Sequence, residues 1–406
     1  WSPDGKRIAY LGFDDRQLAW QSSDVYVMDV ETREPRNLTA NFDRDVDDVQ
    51  WAGSSSRLLI RYEDRGRTHI GLLAMNGKIE SVARDVGGTS IGRPYNSGSF
   101  SVANNGAFAY TAGRADRPAD VAVGRGSRTP ARLTGLNDDL LGTRTLGDVE
   151  EITWTSSAGG LEIQGWLVYP PDFDPDRQYP LILEIHGGPH TAYGPHFSAE
   201  AQLFAAAGYV VLYANPRGST SYGEDFSLEI HHDYPGADYD DLMSGVDAVI
   251  ARGFVDENAL YVTGGSGGGV LTAWIVGKTD RFSAAVVAKP VINWTSFALT
   301  SDITHFVSRH WFPAMPWEDP DAYWERSPLS LVGNVNTPTA LLTGEEDFRT
   351  PMPESEQFYQ ALKLRKVDTA LIRIPEASHG IAARPSQLIA KVDNILAWFA
   401  RYPAAN

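Results

Sequence analysis

The feature that most constrains this chain is Thr263-Gly264-Gly265-Ser266-Gly267-Gly268-Gly269, a lone serine set among glycines. The residues before it, Ala259-Leu260-Tyr261-Val262-Thr263, carry the β-branched and aromatic content of a buried strand, and Val270 to Val276 continues as an apolar helix. Ser266 therefore falls on a strand-to-helix turn. Side chains at Gly264, Gly265 or Gly268 would crowd the neighbouring strand and helix, and the serine backbone is held in a strained conformation. The helix start offers N–H groups to a developing negative charge. The plainer reading is a flexible glycine-rich loop, and the flanks and partners decide between the two.

Glycine runs also cradle phosphates, so that chemistry is tested first. Gly277-Lys278-Thr279 has the ending of a phosphate-binding loop, but Thr272 stands where the motif requires glycine, and the tripeptide closes the helix instead of opening it. The dinucleotide fingerprint fails too, because Val270 occupies its third glycine position. No cofactor is expected.

A serine nucleophile needs a base, and the base needs an orienting carboxylate. Thr339-Ala340-Leu341-Leu342-Thr343 reads as a buried strand leading into the polar turn Gly344 to Pro351, which places Asp347 on a loop after a strand. Glu345 and Glu346 are the competing acids on the same turn. Thr369 to Ile374 is another strand, followed by Pro375-Glu376-Ala377-Ser378-His379-Gly380. Of the nine histidines, His379 is the one downstream of the candidate acid. Catalytic groups of open α/β sheets gather beyond the carboxyl ends of the strands, so Ser266, Asp347 and His379 can converge despite their separation in sequence.

A metal is disfavoured. His186 and His190 are separated by Gly187-Gly188-Pro189, which forbids a helix carrying both on one face, and His231-His232-Asp233 has no further ligands at metal spacing. Instead, the strand Tyr179 to Ile185 ends in His186-Gly187-Gly188, whose backbone N–H groups are unobstructed by side chains. Gly188 and Gly267 are the candidate oxyanion donors.

These residues resemble the prolyl oligopeptidase family of serine peptidases, in particular its acylaminoacyl-peptidase-like branch, from about Val149 onward. The likeness is carried by His186 to His190, Asn215-Pro216-Arg217-Gly218-Ser219, Tyr222-Gly223, Asp240-Asp241-Leu242, the serine turn, Thr279-Asp280-Arg281-Phe282, Ser327-Pro328-Leu329, Gly344 to Pro351 and Ser378-His379-Gly380. It implies a C-terminal α/β-hydrolase domain behind an N-terminal β-propeller, and peptide-bond hydrolysis. Two positions depart from relatives. Gly267 stands where tyrosine is common, and His186 stands near the place of a tyrosine whose hydroxyl helps hold the oxyanion in the prolyl-specific and dipeptidyl branches.

The N-terminal third carries a repeat of about 50 residues. Trp1-Ser2-Pro3-Asp4-Gly5-Lys6-Arg7-Ile8-Ala9-Tyr10 is echoed by Trp51-Ala52-Gly53 leading to Arg57-Leu58-Leu59-Ile60, and by Asn104-Asn105-Gly106-Ala107-Phe108-Ala109-Tyr110. A second strand such as Asp24 to Asp29 follows, and units close on Arg36-Asn37-Leu38-Thr39 or Ala131-Arg132-Leu133-Thr134. About three propeller blades result, against about four to eight in a closed ring. The expected fold class is thus α/β, with an incomplete β-propeller over residues 1–140 and a mostly parallel, doubly wound α/β-hydrolase domain over 141–406. The expectation extends to a fragment whose remaining blades are absent or carried on a separate piece.

The formal charge of −17 disfavours nucleic acid, and no apolar run approaches the ~20 residues of a membrane span. With no cysteine there are no disulfides, and the compartment is left undecided. Short peptides are the expected partners, and a homo-oligomer stays open. Trp294 and Phe297 occupy the place of the family's substrate-side-chain wall, although aromatics at such spacing are commonly core. Arg217 and Arg349 either meet a substrate carboxylate or staple a loop through an ion pair. The activity expected is acyl transfer from short peptides to water. An esterase or other amide hydrolase on the same triad, and a non-catalytic propeller-based binding protein, are the alternatives.

Overall fold

A computed structural model describes residues 1–404. The chain is mixed α/β and divides into two compact units. The first comprises Trp1–Thr145 together with Thr191–Ala199 and Ser219–Leu228, and the remainder forms the second.

The first unit is built from short antiparallel strands. β1 (Arg7–Gly12), β2 (Asp24–Asp29) and β3 (Pro35–Asn37) form one sheet. A larger sheet contains β4 (Val46–Trp51), β5 (Arg57–Asp64), β6 (Arg67–Ala74), β7 (Ile79–Val86), β8 (Phe100–Val102), β9 (Ala107–Arg114), β10 (Arg117–Arg125) and β11 (Arg128–Arg132). Its two halves, β4 to β7 and β8 to β11, are joined at one register pair, Val86 with Ala112. Alternation along the strands buries Val25, Val27, Leu58, Ile60 and Leu73 in one core and Ile70, Leu72, Val86, Phe108 and Tyr110 in another.

The sequence repeat has a physical counterpart in this unit. The Thr39 hydroxyl donates to Asp24 Oδ1 at 2.7 Å and accepts from the Val25 N–H at 2.9 Å. The Thr134 hydroxyl donates to Asp120 Oδ1 at 2.9 Å and accepts from the Val121 N–H, also at 2.9 Å. In each case the threonine that closes a repeat satisfies an aspartate and an N–H on the strand it pairs with.

The second unit contains one eight-stranded sheet in the order β12 (Val149–Thr155), β13 (Glu162–Val168), β15 (Val210–Asn215), β14 (Tyr179–Ile185), β16 (Val255–Gly265), β17 (Ala284–Ala288), β18 (Thr339–Gly344) and β19 (Thr369–Ile374). The pairs β12/β13 and β13/β15 are antiparallel, and from β15 to β19 every pair is parallel. Strands β15, β17 and β18 are buried along their whole length, which explains their continuous apolar composition. The registers match Ile185 with Gly264, Gly265 with Ala288, Ala288 with Leu342, and Gly344 with Ile374. Five neighbouring strands therefore release their chains at one edge of the sheet.

Arg217, on the loop after β15, is stapled rather than available to a ligand. Its Nε and Nη2 donate to the two carboxylate oxygens of Asp241 at 2.9 and 2.8 Å, its backbone N–H adds a third bond to that carboxylate at 2.8 Å, and Nη2 also donates to the Ala158 carbonyl at 2.6 Å. Asp241 is fully buried. Removing one partner strands a buried charge, so Asp241→Ala is expected to destabilise the second unit by about 3–5 kcal/mol. The double change Arg217→Met/Asp241→Leu should recover part of that loss. Calorimetric unfolding of the three proteins measures both effects.

Candidate active site

Strand β16 runs into the glycine stretch, and the helix Gly267–Lys278 begins at the next residue after Ser266. Ser266 has φ 63° and ψ −121°, a region that non-glycine residues rarely adopt. Local bonds compensate. Its N–H is shared between the carbonyls of Ala288 and Lys289, each at 3.1 Å, and its own carbonyl accepts from the Val270 N–H at 3.0 Å.

Glycine at 268 is imposed by close approach. A Cβ there would lie 2.1 Å from the Ile185 carbonyl oxygen and 2.7 Å from that of His186, so the helix could not dock on the end of β14. At 267 the space is narrow but less prohibitive. A Cβ there would meet Tyr234 Oη at 3.0 Å and the Gly188 backbone carbonyl carbon and nitrogen at 3.1 and 3.2 Å. The two candidate donors, Gly188 and Gly267, are thus backbone neighbours.

Tyr234 was not anticipated from the sequence. Its hydroxyl donates to the Gly267 carbonyl at 2.8 Å, and burial pushes the phenol well above its ordinary pKa, with a contribution from Asp238, so the donor proton is retained. Tyr234 is joined to the elbow only through the fold, 33 residues along the chain from Gly267, so nothing beside it in the sequence signals the contact.

Asp347 lies on the loop after β18, and its side chain is fully buried. Its Oδ1 accepts from the N–H groups of Arg349 and Thr350 at 3.0 and 2.9 Å, and Oδ2 accepts from the Thr350 hydroxyl at 3.1 Å. His379, on the loop after β19, brings Nδ1 to 2.8 Å from Asp347 Oδ2 and 3.0 Å from Oδ1. The carboxylate thereby fixes the ring and the proton on Nδ1, leaving Nε2 as the nitrogen with a lone pair able to accept a proton. Burial lowers the His379 pKa from the usual imidazole value. The hydrogen bond and charge of Asp347 oppose this, while Lys289 and Arg349 reinforce it. Of the three acids on this loop, Asp347 holds the histidine, and Glu345 pairs with Arg373.

Trp294 and Phe297 are each 1% exposed and belong to a cluster with Val270, Val291, Phe312 and Tyr323. Trp294 packs edge-on against Phe297, Trp311 and Tyr234. Its indole N–H donates to the Arg326 carbonyl at 2.9 Å. Arg349 is partly exposed and pairs with Asp302 at 2.6 Å. Among the described residues, no group of three or more metal-ligating side chains is gathered, and no helix is long and apolar enough to cross a membrane.

The second unit thus carries a serine at a strained strand-to-helix turn, a carboxylate-held histidine, and two neighbouring glycine backbones. The chain belongs to the prolyl oligopeptidase family, whose model matches residues 195–405. It is 38% identical over 353 residues to the uncharacterized peptidase YuxL of Bacillus subtilis (strain 168), a match covering 86% of this chain and 52% of that protein. It is 26% identical over 416 residues to the probable dipeptidyl-peptidase 5 of Aspergillus clavatus, covering 99% of this chain and 56% of the relative. The chain therefore spans about half the length of these relatives. Its fold is similar to that of the acylaminoacyl peptidase of Pyrococcus horikoshii, with a TM-score of 0.88, 24% identity, and coverage of 99% of this chain and 63% of that structure.

The close approach at the elbow yields a stability prediction. Gly268→Ala forces a methyl group into the Ile185 carbonyl and is expected to cost roughly 3 kcal/mol or more, seen as a lower thermal midpoint. A midpoint equal to that of the wild type would mean that the helix does not dock this closely.

Proposed function

We propose that the chain carries the catalytic machinery of a serine peptidase that hydrolyses peptide bonds of short peptides, as an oligopeptidase or an acylaminoacyl-type exopeptidase. The observation that carries this reading is the Asp347–His379 pair, two and three strands along the same sheet edge from Ser266. His379 Nε2 takes the proton from Ser266 as the hydroxyl oxygen attacks the peptide carbonyl, and Asp347 stabilises the imidazolium. The N–H groups of Gly188 and Gly267 hold the oxyanion, and His379 then protonates the leaving amine. Water, activated by the same histidine, attacks the acyl-serine and releases the acid. Tyr234, through the Gly267 carbonyl, steadies one of the two donors.

The aromatic cluster behind the elbow gives the acyl side chain an apolar setting. In this reading Trp294 and Phe297 form the wall of the side-chain pocket, and Tyr234 takes up part of the space beside Gly267. Residues 1–140 are assigned to about three blades of a propeller and residues 141–406 to the hydrolase domain. The matching closing threonines, Thr39 and Thr134, support equivalent blades. Short peptides are the proposed partners, with a separate piece carrying further blades and self-association as proposed assemblies.

The discriminating experiment compares an N-acetylated peptide, the same peptide with a free amine, and a p-nitrophenyl ester. Peptide cleavage that disappears in Ser266→Ala, with kcat down at least ~10³-fold, is the expected result. Ester turnover without peptide cleavage would instead favour the esterase alternative.

The pH profile follows from the site. The base must be neutral, and burial lowers its pKa. The acid limb of kcat/KM should therefore lie below the ordinary imidazole range, with activity rising as pH increases through it. A limb at or above that range would contradict a desolvated His379 as the base.

A further inference from the structure

One residue bonds directly to two members of the proposed triad, Ser266 and His379, and reaches the third through Thr350, yet it belongs to no motif. Lys289 follows β17, the strand between the one that delivers Ser266 and the one that delivers Asp347. Its carbonyl accepts from the Ser266 N–H at 3.1 Å and from the Thr350 hydroxyl at 3.0 Å. The single proton of that hydroxyl is shared between this carbonyl and Asp347 Oδ2, 3.1 Å away, and its oxygen lies 3.3 Å from His379 Nδ1. The Lys289 N–H donates to the Leu342 carbonyl of β18 at 2.7 Å, and its Nζ donates to the His379 carbonyl at 2.6 Å. The residue is held at φ 40°, in the left-handed region, although it is not glycine. Strain of this kind persists where surrounding bonds over-determine the conformation, and four bonds do so here.

We propose that Lys289 is a positioning residue for the acid–base histidine: its side chain anchors the loop that carries His379 while its carbonyl anchors Ser266 and Thr350. The assignment rests on the serine-peptidase reading of the site. Its ammonium also acts through space. Of the charged groups that bear on the His379 ring, Asp347 favours the protonated form, whereas Lys289 and Arg349 disfavour it. The Arg349 charge is partly offset by its pairing with Asp302, so Lys289 supplies a cation against the histidine loop itself. The side chain thus has two separable roles, a hydrogen bond that fixes the loop and a charge that keeps the base neutral.

Three substitutions separate these roles. Lys289→Met removes both, Lys289→Gln keeps a donor without the charge, and Lys289→Arg keeps both. The readouts are the His379 imidazole titration followed by NMR, which needs no turnover, and the pH profile of kcat/KM. In Lys289→Met the titration and the acid limb should both move to higher pH, and kcat should fall roughly tenfold or more through loss of loop placement. In Lys289→Gln the titration should move the same way with a smaller loss of kcat. Lys289→Arg should resemble the wild type in both.

An unchanged titration in folded Lys289→Gln, or in Lys289→Met, would overturn the electrostatic role. A kcat within twofold of wild type in folded Lys289→Met would overturn the positioning role. If Lys289→Met does not fold, the Gln and Arg variants still decide through the titration. Failure of the wild type to cleave any peptide or ester would count against the serine-peptidase reading and would leave the titration as a separate test of the Lys289–His379 coupling.

Discussion

The Ser266 backbone N–H, shared between the carbonyls of Ala288 and Lys289, is the bond on which the rest of the site depends. It holds a non-glycine residue at positive φ at the end of β16, and it ties the nucleophile strand to its neighbour β17 at the same point. Because the strands from β14 to β19 are parallel and in register, the loops bearing Gly188, Ser266, Lys289, Asp347 and His379 leave the sheet along one edge in the order β14, β16, β17, β18, β19. The proposed chemistry follows from that order. The proposed base, His379, and its carboxylate, Asp347, come from adjacent strands, and the lysine strand lies between them and the serine.

Close packing sets the other condition. The helix Gly267–Lys278 can start directly after the serine only because Gly268 lets it approach the Ile185 and His186 carbonyls, which brings Gly188 beside Gly267. One geometric constraint therefore orients the serine and also builds the pair of donors. Tyr234 fills part of the space that a larger residue at 267 would occupy, and its hydroxyl replaces apolar contact with a hydrogen bond to the elbow.

The features legible in the sequence are those with local signals. The glycine run, the strand Thr339 to Thr343 before Asp347 and the strand Thr369 to Ile374 before His379 are read from composition and periodicity over a few residues, and each falls on the observed elements, with the first of the two strands extended by Gly344. The Asp347–His379 pairing follows from two such loops leaving adjacent parallel strands. Lys289, Tyr234 and Thr350 were not legible, since each also bonds to a partner on another element, the Lys289 ammonium to the His379 carbonyl, the Tyr234 hydroxyl to the Gly267 carbonyl and the Thr350 hydroxyl to the Lys289 carbonyl. Thr350 left a faint trace: an aspartate whose side chain caps the N–H groups two and three residues on defines a turn. Arg217 left two readings open, and only the position of Asp241, buried and 24 residues downstream, chose the staple. The grouping of Thr191–Ala199 and Ser219–Leu228 with the first unit was likewise invisible to composition.

The central claim is that Ser266 is a nucleophile activated by the Asp347–His379 pair. Mapping the adduct of a fluorophosphonate by peptide mass spectrometry tests it most directly, because phosphonylation requires an activated serine and reports its position. A single adduct on Ser266, absent in Ser266→Ala and strongly slowed in His379→Ala, is the predicted result. An adduct on another serine, or an equal rate of labelling without His379, would contradict it.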